Sequence, residues 1–150
     1  MVTKKAVDDF IRQKKWAFVG VSQNKKKFGY FAFKELTSKG YEVFPVNPNL
    51  DSIEGHTAYP SLKELPERVE AVVISLSPSK TAQIVREAHL QDIKHIWMQQ
   101  GAESDEAISF CKENGINIIH GECILMFADP VGFPHNVHRF IWKLLGKVPK

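Results

Sequence analysis

Five short apolar segments alternate with amphipathic segments along the chain, and this alternation restricts the fold more than any other feature. The apolar segments cover residues 16–20, 41–46, 71–76, 95–98 and 117–120, and they are rich in β-branched and aromatic residues. Strands that are apolar on both faces are typical of a parallel sheet covered by helices on each side. The sequence therefore predicts an α/β fold with a single Rossmann-like, doubly wound parallel sheet of about five strands and helices on both faces.

Predicted helices separate these strands, and capping residues indicate where several of the helices begin or end. Helices are predicted over about residues 28–39, 78–90 and 105–114, after an amphipathic segment at residues 7–13. Gly40 and Gly115 follow two of these helices as C-terminal caps, and Ser104 is a candidate N-cap of the third. We expect right-handed crossovers and the strand order 3-2-1-4-5.

The last part of the chain predicts a helical extension. We expect one domain over residues 1–150, with a core at about 5–125 and the extension at about 126–150. The apolar residues of the extension recur at helical spacing; they are Val137, Phe140, Ile141, Leu144 and Leu145. This apolar face either packs on the domain or forms a homodimer or other protein-partner surface.

Composition argues against several classes of protein. The net charge is only +3, and charges of opposite sign alternate along most of the chain, so we expect no nucleic-acid partner. No apolar run is long enough to cross a bilayer, so we expect a soluble, cytoplasmic protein without a membrane partner. Two cysteines and six scattered histidines predict neither a disulfide framework nor a metal site.

Ligands of doubly wound sheets bind at the carboxyl ends of the strands, which makes the residues after each strand the candidate site. The first strand is followed by "VGVSQNKKKFGY", where Gly20 lets the chain turn and a ligand approach. The helix N-terminus, the Ser22 hydroxyl and the lysines at 25–27 could then hold a phosphate. The alternative is an ordinary strand-to-helix loop with a solvated lysine cluster.

The second strand distinguishes between classes of nucleotide. An NAD site would combine a G-x-G-x-x-G turn with an acidic residue at the end of that strand. The turn here lacks those glycines, and the strand ends in Asn47 and Pro48. A neutral neighbourhood disfavours NAD and favours a ligand with an additional phosphate, such as coenzyme A (CoA).

The same motifs resemble a known family. "VGVSQNKKKFGY", "GYEVFPVNPN", "GHTAYPSLKELP" and "WMQQGAES", together with Cys123, are similar to the small stand-alone CoA-binding proteins and to the CoA-binding domain of succinyl-CoA synthetase α subunits. The resemblance covers about residues 5–125. It implies that CoA, or an acyl-CoA, is the ligand.

The resemblance also implies roles for individual residues. The turn Gly20, Val21 and Ser22, with the residues up to Lys27, would hold the CoA phosphates, and Asn47 and Pro48 would line the adenosine end. The pantetheine arm would pass residues from the next two strands and then Cys123. These residues are Ser75, Leu76, Pro78, Gln99, Gln100 and Gly101.

The sequence departs from the family after Cys123, where "ILMFADPVGFPH" replaces the Glu-His pair that often follows this cysteine. It also has no room for the phosphohistidine domain or the ATP-grasp subunit of the synthetases. We therefore predict no complete acyl-CoA synthetase and no evident catalytic centre. Cys123 is the candidate reactive thiol, with plain packing as the alternative, and Cys111 is predicted to lie in the core.

The sequence thus favours a CoA-binding protein that acts as a carrier, sensor or accessory protein. Two other functions remain open. One is an NAD(P)-binding Rossmann oxidoreductase. The other is an interaction module with a vestigial nucleotide site.

Overall fold

The computed structural model of the protein describes residues 3–128. The predicted C-terminal helix lies outside the described residues. The family resemblance and the five predicted strands lie within them.

Seven strands and four helices follow one another in the described residues. The strands are β1 (Lys15–Val19), β2 (Glu42–Val46), β3 (Ser52–Ile53), β4 (His56–Thr57), β5 (Ala71–Ile74), β6 (His95–Met98) and β7 (Asn117–His120). The helices are α1 (Lys4–Ile11), α2 (Phe28–Ser38), α3 (Pro78–Leu90) and α4 (Asp105–Glu113). None of these helices is long and apolar enough to span a bilayer.

Five of the strands form one parallel sheet in the order β2-β1-β5-β6-β7. In terms of the five predicted strands this order is 2-1-3-4-5, so the predicted order 3-2-1-4-5 is wrong. The position beside β2 is closed by the Tyr59 segment. Tyr59 forms a parallel bridge with Val46, donates to the Pro45 carbonyl at 2.9 Å and accepts from the Asn47 N–H at 2.9 Å. The third long strand, β5, pairs with β1 instead.

Apolar layers cover both faces of the sheet, as predicted for a doubly wound fold. Successive residues of β1 alternate between them: Trp16 and Phe18 face the layer that includes α1 and α2, whereas Ala17 and Val19 face α3 and α4. Cys111 is fully buried in the second layer, which confirms its predicted place in the core.

The hairpin β3–β4 was not predicted. Its two-residue turn, Glu54-Gly55, has positive φ angles of 49° and 80°, as a type I′ turn requires. The hairpin lies against α2, because the Tyr30 hydroxyl donates to the Glu54 carboxylate and His56 packs edge-on against Phe33 at 5.3 Å. The hydrogen bond to Glu54 also raises the pKa of Tyr30.

Candidate functional site

A cavity of about 790 Å³ lies at the carboxyl edge of the sheet, where the strand order reverses between β1 and β5. The helices that follow these two strands, α2 and α3, cover opposite faces of the sheet and leave a crevice between their N-termini. This volume is typical of cofactor sites. The predicted site residues that line it are Gly20, Val21, Ser22, Lys27, Asn47, Pro48, Ser75 and Leu76.

Gly20 is required where the turns after β1 and β5 touch. Its φ is +109°, and a Cβ atom at this position would lie 2.1 Å from the Ser75 carbonyl oxygen and 3.3 Å from Leu76 Cδ2. Gly20 was expected to let the chain turn and a ligand approach, and its positive φ confirms the turn. Its missing side chain also lets the two turns approach each other, which brings their backbones together in one wall of the cavity.

Gly29, in the first turn of α2, is a second glycine that the sequence analysis did not identify. A Cβ atom on Gly29 would lie 2.2 Å from the Gly20 carbonyl oxygen. The absence of a side chain therefore lets the start of α2 rest directly on the turn after β1. In dinucleotide-binding folds one glycine of the fingerprint has the same function of close helix–strand packing. A glycine just inside a predicted helix was the available signal.

The N-terminus of α2 presents unpaired donors to the cavity. The backbone N–H groups of Phe28 and Gly29 have no hydrogen-bond partner among residues 3–128, and both residues line the cavity. Lys27, the N-cap residue, makes no side-chain capping hydrogen bond. The Ser22 hydroxyl accepts from the Asn24 N–H at 3.0 Å and keeps its own proton to donate. This combination of groups fits a phosphate.

Asn47 stands where an NAD site would have its acid, and its side chain fixes the loops. Its amide nitrogen donates to the Val21 carbonyl at 2.8 Å, and its oxygen accepts from the Asn49 N–H at 2.8 Å. The amide nitrogen thus holds the turn after β2 against the turn after β1, and the oxygen orders the turn after β2 itself. The β2 end of the cavity is consequently neutral, as the sequence predicted.

One face of α3 forms the opposite wall. Lys80, Gln83, Ile84 and Glu87 recur at helical spacing and all line the cavity. The Glu87 carboxylate accepts from the Leu62 N–H at 2.8 Å, which ties α3 to the segment after Tyr59. This wall was not predicted from the sequence. The available signal was the run of polar residues at helical spacing after Pro78.

Five predicted residues lie outside the cavity: Pro78, Gln99, Gln100, Gly101 and Cys123. Gln99 is only 4% exposed, and its side-chain oxygen accepts from the Ile124 N–H at 3.0 Å. Gln100 donates to the Gly121 carbonyl at 3.2 Å. These two side chains hold the segment after β7 against the loop after β6, and so they position Cys123 at the same edge of the sheet.

The two cysteines differ in environment. Burial raises the pKa of Cys111 to about 12, so that its thiolate is scarce at neutral pH. Cys123 is half-buried and precedes the short 3₁₀ turn Ile124–Met126. Within residues 3–128 no group of three or more His, Cys, Asp or Glu side chains is arranged to hold a metal ion.

Comparison with known proteins assigns the chain to a family. A family model described as a CoA binding domain matches residues 14–129. The chain belongs to this CoA-binding family. The resemblance read from the sequence motifs is confirmed.

The relatives of this CoA-binding domain are small proteins of similar length and much longer CoA ligases. The chain is 32% identical to the uncharacterized protein YneT of Bacillus subtilis over 75% of this chain and 84% of that protein. A solved structure of a conserved hypothetical protein from Pyrococcus furiosus is 43% identical, with a TM-score of 0.72 over 75% of this chain and 97% of that one. It is also 28% identical to the α subunit of an ADP-forming acetate–CoA ligase II from Pyrococcus furiosus, over 79% of this chain. The match spans only 28% of that subunit's length.

Proposed function

We propose that the chain binds coenzyme A or an acyl-CoA in the cavity between α2 and α3. The proposal rests on the groups that the loop between β1 and α2 and the start of α2 present to the cavity. There, two free backbone N–H groups, a serine hydroxyl and Lys27 meet in a cavity of cofactor size. Membership of a CoA-binding family supports the same ligand.

The charges along the cavity support one orientation of CoA. The pyrophosphate lies at the N-terminus of α2 and the adenosine near Asn47 and Pro48. Glu87 lines the cavity farther along α3 and would repel a phosphate, so that end receives an uncharged part of the ligand. The apolar Leu62 and Ile84 beside it suit such a group.

The pantetheine arm then leaves along the carboxyl edge. It passes Ser75, Leu76 and Pro78 and runs over the loop at Gln99, Gln100 and Gly101 toward Cys123. The two strand spacings from β5 to β7 amount to about 10 Å. An extended, mostly uncharged chain can cross this distance through backbone contacts, which suits an edge where the side chains of Gln99 and Gln100 are already hydrogen-bonded to backbone groups.

The biochemical role that fits is that of a carrier, sensor or accessory protein. Named relatives of the domain include ADP-forming acetate–CoA ligases, whose length exceeds that of the matched region several-fold. We propose that this chain supplies the CoA-binding part of such a system without being a complete synthetase. Any acyl transfer would then be performed by residues outside this CoA-binding domain.

Two measurements test the proposal. Denaturing the purified protein and identifying any released nucleotide by mass spectrometry should yield CoA or an acyl-CoA. Calorimetry on the ligand-free protein should show tighter binding of CoA than of NAD, with affinity that falls as salt rises, because the contacts are ionic. Equal affinity for CoA and NAD would contradict the proposal and favour the oxidoreductase alternative.

A variant pair localises the site. Lys27→Gln removes a charge from the cavity and should weaken CoA binding about tenfold, as expected for a lost charge-assisted hydrogen bond. Lys112→Gln removes the same charge from α4, outside the cavity, and should leave the affinity unchanged. Equal effects of the two substitutions would place CoA elsewhere on the protein.

A further inference from the structure

Two lysines on two different elements line the cavity. Lys27 is the N-cap residue of α2, and Lys80 lies in the first turn of α3. Neither forms an ion pair within residues 3–128, whereas lysines of α1 and β1 pair with nearby carboxylates. The cavity therefore holds two separate lysines, neither of which is paired with a carboxylate of the described residues.

Both lysines occupy positions that are unfavourable for the helices themselves. The N-terminus of a helix carries partial positive charge, which favours acidic residues and disfavours lysine. Helix α4 follows this rule, with Ser104 as a hydrogen-bonded N-cap and Asp105 and Glu106 in its first turn. Helices α2 and α3 have no acidic residue in the first turn and no side-chain cap hydrogen bond. An anionic ligand would supply the negative charge that these two helix ends lack.

We infer that Lys80 recognises the 3′-phosphate of CoA and so distinguishes CoA from 3′-dephospho-CoA. The inference rests on the proposed function, since it assigns one phosphate of that ligand to one residue of the same cavity. CoA carries two anionic groups, a pyrophosphate and a 3′-phosphate on the ribose. The cavity offers two cationic positions on its opposite walls.

The pyrophosphate belongs at α2. Gly29 brings the start of this helix onto the turn after β1, and the free N–H groups of Phe28 and Gly29 lie beside Lys27. This is the position that holds a pyrophosphate in dinucleotide-binding folds. Lys80 is then left for the other anion.

The position of the 3′-phosphate along α3 is fixed by Glu87. Seven residues, or about 10 Å of helix, separate Glu87 from Lys80. The Glu87 carboxylate is held in the cavity wall by the Leu62 N–H and repels a phosphate. The 3′-phosphate is therefore confined to the Lys80 end of the helix.

Calorimetry with two ligands and three variants tests this assignment. Wild type should bind CoA at least about tenfold more tightly than 3′-dephospho-CoA, as expected for a charge-assisted contact. Lys80→Gln should lose most of that difference by weakening CoA alone. Lys27→Gln should weaken both ligands by a similar factor, because both contain the pyrophosphate. Lys63→Gln, which removes an exposed charge next to Leu62 but outside the cavity, should change neither.

The stability of the ligand-free variants gives an independent readout. Because Lys80 opposes the dipole of α3, Lys80→Gln should raise the thermal midpoint slightly without ligand and reduce the stabilisation that CoA provides. If Lys80→Gln weakens CoA and 3′-dephospho-CoA equally, or neither, while wild type still binds CoA, the assignment is wrong and the proposed function stands. If wild type binds neither ligand, the proposed function fails together with the assignment.

Discussion

Replacing Gly20 by alanine tests whether the contact between the turns after β1 and β5 governs folding. The added Cβ would lie 2.1 Å from the Ser75 carbonyl oxygen and 2.8 Å from its carbon. These are backbone atoms, so no side-chain rotation relieves the overlap. Hydrogen bonds from the Ser75 N–H to Val19 and from the Gly20 N–H to Val46 hold both turns in place, at 2.9 Å and 3.3 Å.

Two energetic costs determine how much stability Gly20→Ala should lose. A non-glycine residue at the positive φ of Gly20 costs about 1–2 kcal/mol. Moving the Ser75 backbone by enough to admit a methyl group disturbs the hydrogen bond from the Ser75 N–H to Val19, which costs about 1–3 kcal/mol. We expect Gly20→Ala to lower the free energy of unfolding by about 2–5 kcal/mol and the melting temperature by roughly 10 °C.

Gly101 provides the matched control. It also has a positive φ, +90°, but a Cβ atom there would have no neighbour within 4 Å. Gly101→Ala should therefore cost only the backbone term of about 1–2 kcal/mol. Urea unfolding followed by the fluorescence of the buried Trp16 and Trp97 measures both variants. Equal losses of stability, within about 0.5 kcal/mol, would refute the close-contact explanation.

Three further predictions follow from the same structure. Gly29→Ala should destabilise the protein in urea unfolding by about 1–3 kcal/mol although alanine favours helices, because its Cβ would meet the Gly20 carbonyl; a gain in stability would contradict this. Burial lowers the pKa of His95, so the neutral side chain contributes stability above the ordinary value of 6.5 that is lost as pH falls below it. Urea unfolding at pH 7.5 and 5.5 should show a smaller acid loss in His95→Asn than in wild type, and an identical loss would exclude His95. Incubation with CoA disulfide should give a mixed disulfide at Cys123, with release of one CoA thiolate, while Cys111 stays unmodified because its pKa is about 12; intact-mass analysis of Cys123→Ser and Cys111→Ser would identify the thiol.

The sequence predicted the elements well because their signals are local. Apolar β-branched runs indicated the five long strands, and Gly40 and Gly115 ended α2 and α4 with positive φ angles of 96° and 68°. Ser104 caps α4 by accepting from the Ala107 N–H at 3.1 Å. Each of these features depends on residues within one turn of the chain, and a single sequence contains them.

The strand order could not be predicted in the same way. It depends on whether the chain after β2 continues beside β2 or crosses β1, and no local pattern decides this. In the structure the chain after β2 makes only one isolated bridge beside β2, between Tyr59 and Val46, and forms no further strand there. The hairpin β3–β4 is similarly short, with two residues in each strand, so its alternation is too brief to recognise.

The candidate site was predicted where its residues follow strands and missed where they lie on helices. Asn47 and Ser22 come directly after strand ends, and both line the cavity. Lys80 and Glu87 lie on α3, and their position depends on which face that helix turns toward the sheet. Gly29 was missed because its importance is a contact with the Gly20 carbonyl, 9 positions earlier, that only the packed structure reveals.

The reversal of strand order explains why these helix residues belong to the site. Because β1 and β5 are neighbours whose helices leave to opposite faces, the N-termini of α2 and α3 both open onto the cavity. In the predicted order 3-2-1-4-5 the strand before α3 would lie beyond β2, and Lys80 would be far from Lys27. Only in the observed order do the two lysines line the same cavity. The topology therefore places two cationic side chains in one cavity, which is what the proposed assignment of the two anionic groups of CoA requires.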